Sequence, residues 1–178
     1  VDILVNLAYT PVFGAPQDVS LTDWEQAWKV NVTGYFLCCR EAARRMIDRG
    51  KGGAIMNMSS IAGTSALGRK NFPYSVSKGG IGMMTKEMAV EWGSYGIRVN
   101  AIQPCQFLTP GLRIRLDELG PEIRDKFLSG IPLGRLGEPP EMVGPVLFLV
   151  SDASSMVSGV LLPVDGGNLA MNAAGTKG

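Results

Sequence analysis

The fold is decided by the stretch AIMNMS at residues 54–59, a short apolar run that ends in a serine. A strand buried on both faces, as in a parallel sheet, has this near-continuous apolar character. Residues 1–6, 97–102 and 159–164 are also predicted to be strands. Four short strands are therefore expected along the chain.

The segments between these strands carry helical patterns. The first starts at a capping-box sequence, Ser20 to Asp23, and is expected to continue as one long helix to Arg49. Trp24, Trp28, Val32, Phe36, Cys39 and Ala43 fall at helical spacing along it. Further helices are expected at residues 74–95, at 112–129 with a break at Gly120, and at 141–150. This alternation of strand and helix predicts an α/β fold with a parallel sheet and right-handed crossovers.

Polar or loop-starting residues stand where three of the strands end. These are Asn6, the pair Ser59 and Ser60, and Pro104. Ligands of such sheets bind beyond the carboxyl ends of the strands. The sequence therefore predicts a site along this edge.

The composition is that of a globular protein, and we expect residues 1–178 to form a single domain. A net charge of +1 gives no reason to expect nucleic acid or an anionic membrane as a partner. No apolar run is long enough to span a bilayer, and no signal peptide is visible. The cysteine content, three residues, is low and odd in number, which favours a reducing compartment and a cytoplasmic location.

The chain contains no histidine. Ser-His-Asp and Cys-His catalytic devices are therefore excluded within it. The commonest metal ligand is also absent, and no CxxC pair replaces it, so no metal site is expected. An acid or base in this chain would have to be Tyr, Lys, Asp, Glu or Cys.

Tyr74 and Lys78 are the strongest candidates for proton chemistry. Residues four apart on a helix share a face, which places a phenol beside an ammonium. A free phenol has a pKa of about 10, and a nearby positive charge lowers it. Such a tyrosine can exchange a proton with an alcohol or carbonyl oxygen. The same spacing also occurs by chance, so its context decides.

That context consists of five features in a fixed order. They are Asn31-Val32-Thr33-Gly34, Ser59-Ser60, Tyr74 with Lys78, Asn100-Ala101-Ile102-Gln103-Pro104 with Thr109, and Val164-Asp165-Gly166-Gly167. Together they resemble the short-chain dehydrogenase/reductase family over nearly the whole chain. The resemblance implies a Rossmann-like, three-layer parallel sheet. The chain would be its C-terminal catalytic part, N-terminally truncated, with about four of the usual seven strands.

The resemblance also implies catalytic roles. Tyr74 would be the general acid/base, and Lys78 would lower its pKa and hold the nicotinamide ribose. Ser60 would position the substrate oxygen, with Ser59 as the alternative. Asn31 would lie at a helix irregularity and hold a water in the proton relay to Lys78.

The implied cofactor is NAD or NADP. Asn6 and Ala8 would line its adenosine side, together with Tyr74 and Lys78 at the ribose. Pro104, the Phe107 backbone and Thr109 would hold the nicotinamide carboxamide. The implied partners are a small-molecule alcohol or ketone and further copies of the chain, as a dimer or tetramer. Met83, Met84 and Met88 would contribute to that interface or, alternatively, to the core.

Three departures from the family pattern stand out. No strand–glycine-rich turn–helix precedes the first strand, so the helix N-terminus that would bind pyrophosphate is missing. The first strand should then leave an apolar edge exposed, and we expect the chain to be an excerpt or to fold poorly alone. Tyr9 stands where the family has a glycine, and Cys105 follows Pro104 where glycine is usual.

The expected function is an NAD(P)-dependent oxidoreductase that interconverts an alcohol and a ketone by hydride transfer. The alternatives are a non-catalytic fragment or pseudoenzyme acting through its interfaces, and an epimerase or dehydratase. Arg69 and Lys70, in the loop before Tyr74, favour an anionic substrate or else form a solvated surface pair.

Overall fold

The structure, a computed structural model, describes residues 1–172, apart from the side chain of Leu119. Its four strands form one parallel sheet in the order β1-β2-β3-β4. Their bounds are Ile3–Asn6 (β1), Gly53–Met58 (β2), Ile97–Pro104 (β3) and Leu161–Val164 (β4). The predicted α/β fold and its four strands are confirmed.

Six α-helices connect and flank the strands of the described chain. They are α1 (Leu21–Trp28), α2 (Gly34–Arg49), α3 (Phe72–Trp92), α4 (Pro110–Leu119), α5 (Pro121–Ser129) and α6 (Val143–Val150). The predicted break at Gly120 separates α4 from α5. Helix α3 begins two residues earlier than expected, with Pro73 in its first turn, where a missing N–H costs no hydrogen bond.

The sheet lies between two helical layers. Successive residues of a strand point to opposite faces, and β2 shows the consequence. Ile55 packs in a cluster with residues of α2 and α3. Met56 packs against Leu149 of α6 on the other face. The predicted three-layer arrangement is thereby confirmed.

The helix expected from Ser20 to Arg49 is divided by a π-helical turn, Lys29–Thr33. Its wider turn carries an extra residue, so the buried face shifts along the chain. Tyr35 is 2% exposed, whereas Phe36, which the spacing placed on the buried face, is 41% exposed. The capping prediction holds, because the Ser20 hydroxyl accepts a hydrogen bond from the Asp23 amide at 3.1 Å.

Strand β1 forms one edge of the described sheet and pairs only with β2. Val1, Ile3, Val5 and Leu7 are all exposed there. The expected apolar edge is therefore present. Within the described residues, no helix has the length and apolar character that crossing a bilayer requires.

Candidate active site

A cleft of about 620 Å³ opens at the carboxyl ends of the strands, where the polar strand ends predicted a site. It brings together six of the residues predicted from the sequence: Ser60, Tyr74, Lys78, Pro104, Phe107 and Thr109. Strand β2 leads to Ser60, helix α3 presents Tyr74 and Lys78, and the segment after β3 contributes the others. Parallel strands thus gather residues that are distant in sequence.

Tyr74 and Ser60 both line this cleft. The Ser60 side chain lowers the pKa of the Tyr74 phenol in part, and Ser60 Oγ accepts a hydrogen bond from the Ala62 amide at 3.1 Å. Ser59, in contrast, donates its hydroxyl to the Lys78 carbonyl at 2.9 Å. Of the two serines, Ser60 is therefore the one that interacts with the candidate acid/base.

The protonation of Tyr74 differs from the expectation. Burial raises the pKa of the Tyr74 phenol, the Ser60 hydrogen bond lowers it in part, and the neighbouring Tyr9 phenol raises it further. The sequence predicted that Lys78 would lower it. Lys78 is not among the causes of this shift. Its ammonium lies 5.7 Å from the Tyr74 ring centroid and donates a hydrogen bond to the Met58 carbonyl at 2.6 Å.

Lys78 is a buried cation, with 2% of its surface exposed. Burial disfavours the charged form and lowers the pKa of Lys78 to about 8. The ammonium has three N–H donors, and the Met58 carbonyl takes one of them. Lys78 therefore remains mostly charged at neutral pH and has donors to offer to the cleft.

Asn31 lies in the π-helical turn, so the predicted helix irregularity is confirmed. Its fully buried amide bonds both backbone groups of Thr10: the oxygen accepts from the Thr10 amide at 2.7 Å, and the nitrogen donates to the Thr10 carbonyl at 3.2 Å. The same nitrogen donates to Ser77 Oγ at 3.1 Å. Asn31 does not line the cleft; it ties the loop after β1 to helix α3.

Two residues predicted for the adenosine side are not brought to the cleft. Asn6 is buried, and its amide donates to Asn57 Oδ1 at 2.9 Å and to the Cys39 sulfur at 3.2 Å. Ala8 is exposed on the following loop and does not line the cleft.

The segment after β3 is held by its own backbone. The Phe107 carbonyl accepts from the Thr109 amide at 2.7 Å, and Thr109 Oγ accepts from the Leu112 amide at 3.3 Å as the cap of α4. The Phe107 ring lies on Gly137, where an added Cβ would come within 2.5 Å of it. This glycine therefore allows the close approach that fixes Phe107 in the cleft wall.

Two further aromatic residues border the candidate site: Tyr9, which the sequence marked as a departure from the family's glycine, and Tyr35, which it did not indicate. Tyr9 lines the cleft beside Tyr74, and Tyr35 lies beneath Lys78 from helix α2. The irregularity implied at Asn31 was the available signal, because an extra residue there shifts the buried face of the helix to Tyr35.

Arg69, predicted to face the substrate or to belong to a solvated surface pair, is exposed and lies over the ring of Phe127. Its guanidinium carbon is 4.5 Å from the ring centroid, and it does not line the cleft.

The donor set suits the nicotinamide–ribose half of a dinucleotide. The cleft walls are largely apolar, and their polar side chains are few: Tyr9, Ser59, Ser60, Tyr74, Lys78, Gln106 and Thr109. The aromatic nicotinamide ring would pack against the apolar walls, and the ribose hydroxyls would bind to the few polar side chains. No cluster of metal-ligating side chains occurs among residues 1–172.

Comparisons with known proteins agree with this geometry. A family profile described as enoyl-(acyl carrier protein) reductase matches residues 1–168. The chain is 40% identical over 167 residues to D-threitol dehydrogenase of Mycolicibacterium smegmatis, covering 94% of this chain and 62% of that protein. It is 39% identical over 168 residues to an NAD-dependent glycerol dehydrogenase of Listeria innocua, covering 94% of this chain and 64% of that protein.

A solved structure is similar throughout. Gluconate 5-dehydrogenase of Burkholderia cenocepacia, in complex with NADP and tartrate, superposes with a TM-score of 0.90 at 35% identity. The match covers 97% of this chain and 66% of that one. The chain thus spans slightly less than two thirds of the length of each of these proteins.

Proposed function

The chain belongs to the short-chain dehydrogenase/reductase family, and on that basis we propose that it carries the catalytic site of an NAD(P)-dependent oxidoreductase that interconverts an alcohol and a ketone. One observation carries this proposal: Ser60, Tyr74 and Lys78 line the same cleft, and the Ser60 side chain acts on the pKa of the Tyr74 phenol. A proton donor, an oxygen-positioning hydroxyl and a buried positive charge are the groups that carbonyl reduction requires.

Tyr74 supplies or removes the proton. Because burial raises the pKa of Tyr74 above its ordinary value, the phenol is protonated at neutral pH. It is then ready to give its proton to a carbonyl oxygen, while Ser60 hydrogen-bonds the same oxygen and stabilises the charge that develops on it. Alcohol oxidation needs the phenolate and is favoured at alkaline pH.

The nicotinamide cofactor, NAD or NADP, would accept the hydride in alcohol oxidation and donate it in ketone reduction. Lys78 would bind the ribose of its nicotinamide half, and Pro104, the Phe107 backbone and Thr109 would hold the carboxamide. Asn6 and Ala8 would lie toward the adenosine. One relative is named as NAD-dependent and one solved structure contains NADP, so both nucleotides belong to the proposal.

The substrate class that we propose is a small alcohol or ketone. The relatives named above act on threitol and glycerol, and the solved structure is named for gluconate, so all three names denote polyhydroxy compounds.

We also propose that the chain assembles with copies of itself. The three methionines predicted for an interface divide between two environments: Met88 is buried, Met84 packs against the core, and Met83 is 58% exposed. Phe36 and Leu37 on α2 and Val90 on α3 are further exposed apolar side chains. A second subunit would cover such a surface.

Turnover tests the proposed reaction. The chain is supplied with NAD⁺ or NADP⁺ and a panel of alcohols that includes threitol and glycerol, and reduced nicotinamide is followed by absorbance. We expect turnover with at least one pair, its loss in Tyr74→Phe, and its retention in the matched control Tyr95→Phe, whose half-exposed phenol lies outside the cleft. No turnover with any pair, or equal turnover in Tyr74→Phe, would overturn the proposal.

A further inference from the structure

Lys78 is buried without a carboxylate beside it. None of the ion pairs found among residues 1–172 includes Lys78, and no Asp or Glu belongs to the residues that line the cleft. Burial is the sole cause of its lowered pKa. A buried charge is costly unless other groups compensate it, so the groups around Lys78 must supply the compensation.

Those groups are one carbonyl and three aromatic rings. The Met58 carbonyl accepts a hydrogen bond from Nζ at 2.6 Å. The ring centroids of Tyr9, Tyr35 and Tyr74 lie 5.8, 5.6 and 5.7 Å from Nζ. A cation within about 6 Å of an aromatic centroid is attracted by the negative face of the ring.

The three rings come from separate parts of the chain. Tyr35 is in α2, Tyr74 is in α3, and Tyr9 is in the loop that follows β1. Tyr35 is 2% exposed and forms the inner side of the group, whereas Tyr9 is 56% exposed and forms its solvent side. The Tyr9 ring also meets the Tyr74 ring edge-on, with centroids 6.1 Å apart and planes at 70°.

We propose that Tyr9 is a positioning residue that completes an aromatic cage around the Lys78 ammonium and holds it, charged, beside Tyr74. The cage consists of the rings of Tyr9, Tyr35 and Tyr74. Its effect on the charge of Lys78 is a property of the folded chain, and its importance for catalysis rests on the proposed function. Of the three rings, Tyr9 can be substituted with the least disturbance of the fold, because it is exposed and Tyr35 on the buried side is left unchanged.

Fluorinated phenylalanines at position 9 test the cage in the whole chain. Fluorine withdraws electron density from the ring face and changes its size little, so attraction for a cation weakens while burial is kept. The readout is the pKa of Lys78, obtained by NMR titration of the ¹³Cε signal and assigned with Lys78→Arg. We expect Tyr9→Phe to titrate as the wild type does, and each added fluorine to move the Lys78 titration to lower pH.

The matched control is the same fluorinated series at Phe13. This residue lies in the same loop, is 51% exposed, and contacts Arg115, whose guanidinium carbon is 5.2 Å from its ring centroid. Fluorination there should leave the Lys78 titration unchanged.

Three results would overturn the proposal that Tyr9 completes an aromatic cage around Lys78. The first is a Lys78 pKa that is indifferent to fluorination at position 9, and the second is an equal response to fluorination at position 13. The third is a pKa that rises with fluorination, because weaker attraction by the ring face can only lower it. The measurement needs neither cofactor nor turnover, so a failure of the proposed oxidoreductase activity would leave its result unaffected.

Discussion

The pKa values of Tyr74 and Lys78 do not follow the expectation that the lysine charge lowers the pKa of the tyrosine. The pKa of Tyr74 is raised and that of Lys78 is lowered to about 8, both chiefly by burial. The spacing in sequence correctly placed both side chains in one cleft. It could not show how deeply each is buried or that Met58 takes the ammonium hydrogen bond, since both depend on tertiary packing.

Substitution of the two adjacent serines should have different effects, with Ser60 needed for turnover and Ser59 for stability. Ser60→Ala removes the hydroxyl that faces Tyr74, and we expect the catalytic efficiency kcat/KM to fall by roughly 100-fold or more. Ser59→Ala removes a buried hydrogen bond to the Lys78 carbonyl, which should cost about 1–2 kcal/mol of unfolding free energy with little loss of turnover. Steady-state kinetics and urea unfolding measure the two effects. The reverse pattern would assign the substrate oxygen to Ser59.

Lys78 should make stability rise with pH. Its folded-state pKa of about 8 lies below the value of about 10.4 in an unfolded chain, so between these values the unfolded chain binds more protons. Relative to Lys78→Met, the wild type should therefore gain about 1.5 kcal/mol of unfolding free energy between pH 8 and pH 9.5. Urea unfolding at both pH values measures this gain. Parallel pH profiles for the two proteins would mean that Lys78 is not buried as described.

At the scale of elements, the site depends on close contact between helix α3 and the turn after β2. An added Cβ at Gly63 would lie 2.7 Å from the carbonyl carbon and oxygen of Lys78. Likewise, the π-helical turn aims Asn31 at Thr10 and Ser77. Helix positions could be predicted from the sequence, and the family resemblance implied an irregularity at Asn31. The hydrophobic spacing did not reveal the extra residue of the π-turn, because that spacing resembled the one of a regular helix. That is why Phe36, rather than Tyr35, was expected in the core.

Gly63→Ala should push α3 away from β2. Because the clash is with backbone atoms, it cannot be relieved by a side-chain rotation, and we expect a loss of about 1–3 kcal/mol of unfolding free energy. Gly93→Ala, where nothing lies within 4 Å of the added Cβ, is the matched control and should be neutral or slightly stabilising. Urea unfolding compares them. Equal effects at both positions would show that the contact between Gly63 and Lys78 does not constrain the site.

At the scale of the whole molecule, strand–helix alternation was enough to predict the four parallel strands and the edge at which the cleft lies. It does not determine the surroundings of Asn6, because the end of a strand fixes an edge of the sheet and not the face to which a side chain turns. The partners of Asn6 are internal.

Self-association should depend on the exposed apolar side chains of α2 and α3. We expect sedimentation equilibrium to show a dimer or tetramer, and Val90→Lys to shift it toward monomer, because Val90 is 80% exposed and a charge there opposes burial. Met156→Lys, at a position that is 95% exposed and outside both helices, is the control and should not change the mass. A wild-type monomer at all concentrations would contradict the proposed assembly.

Titration of the chain with NADH and with reduced nicotinamide mononucleotide, followed by nicotinamide fluorescence, decides whether the cleft holds a nicotinamide. Pro104, Phe107 and Thr109 line the cleft, whereas Asn6 and Ala8 do not. We therefore predict saturable binding of both ligands with similar dissociation constants, each raised roughly ten-fold by Lys78→Met through loss of a charged hydrogen bond. Absence of saturable binding, or binding that is indifferent to Lys78→Met, would contradict the assignment of this cleft as a dehydrogenase active site.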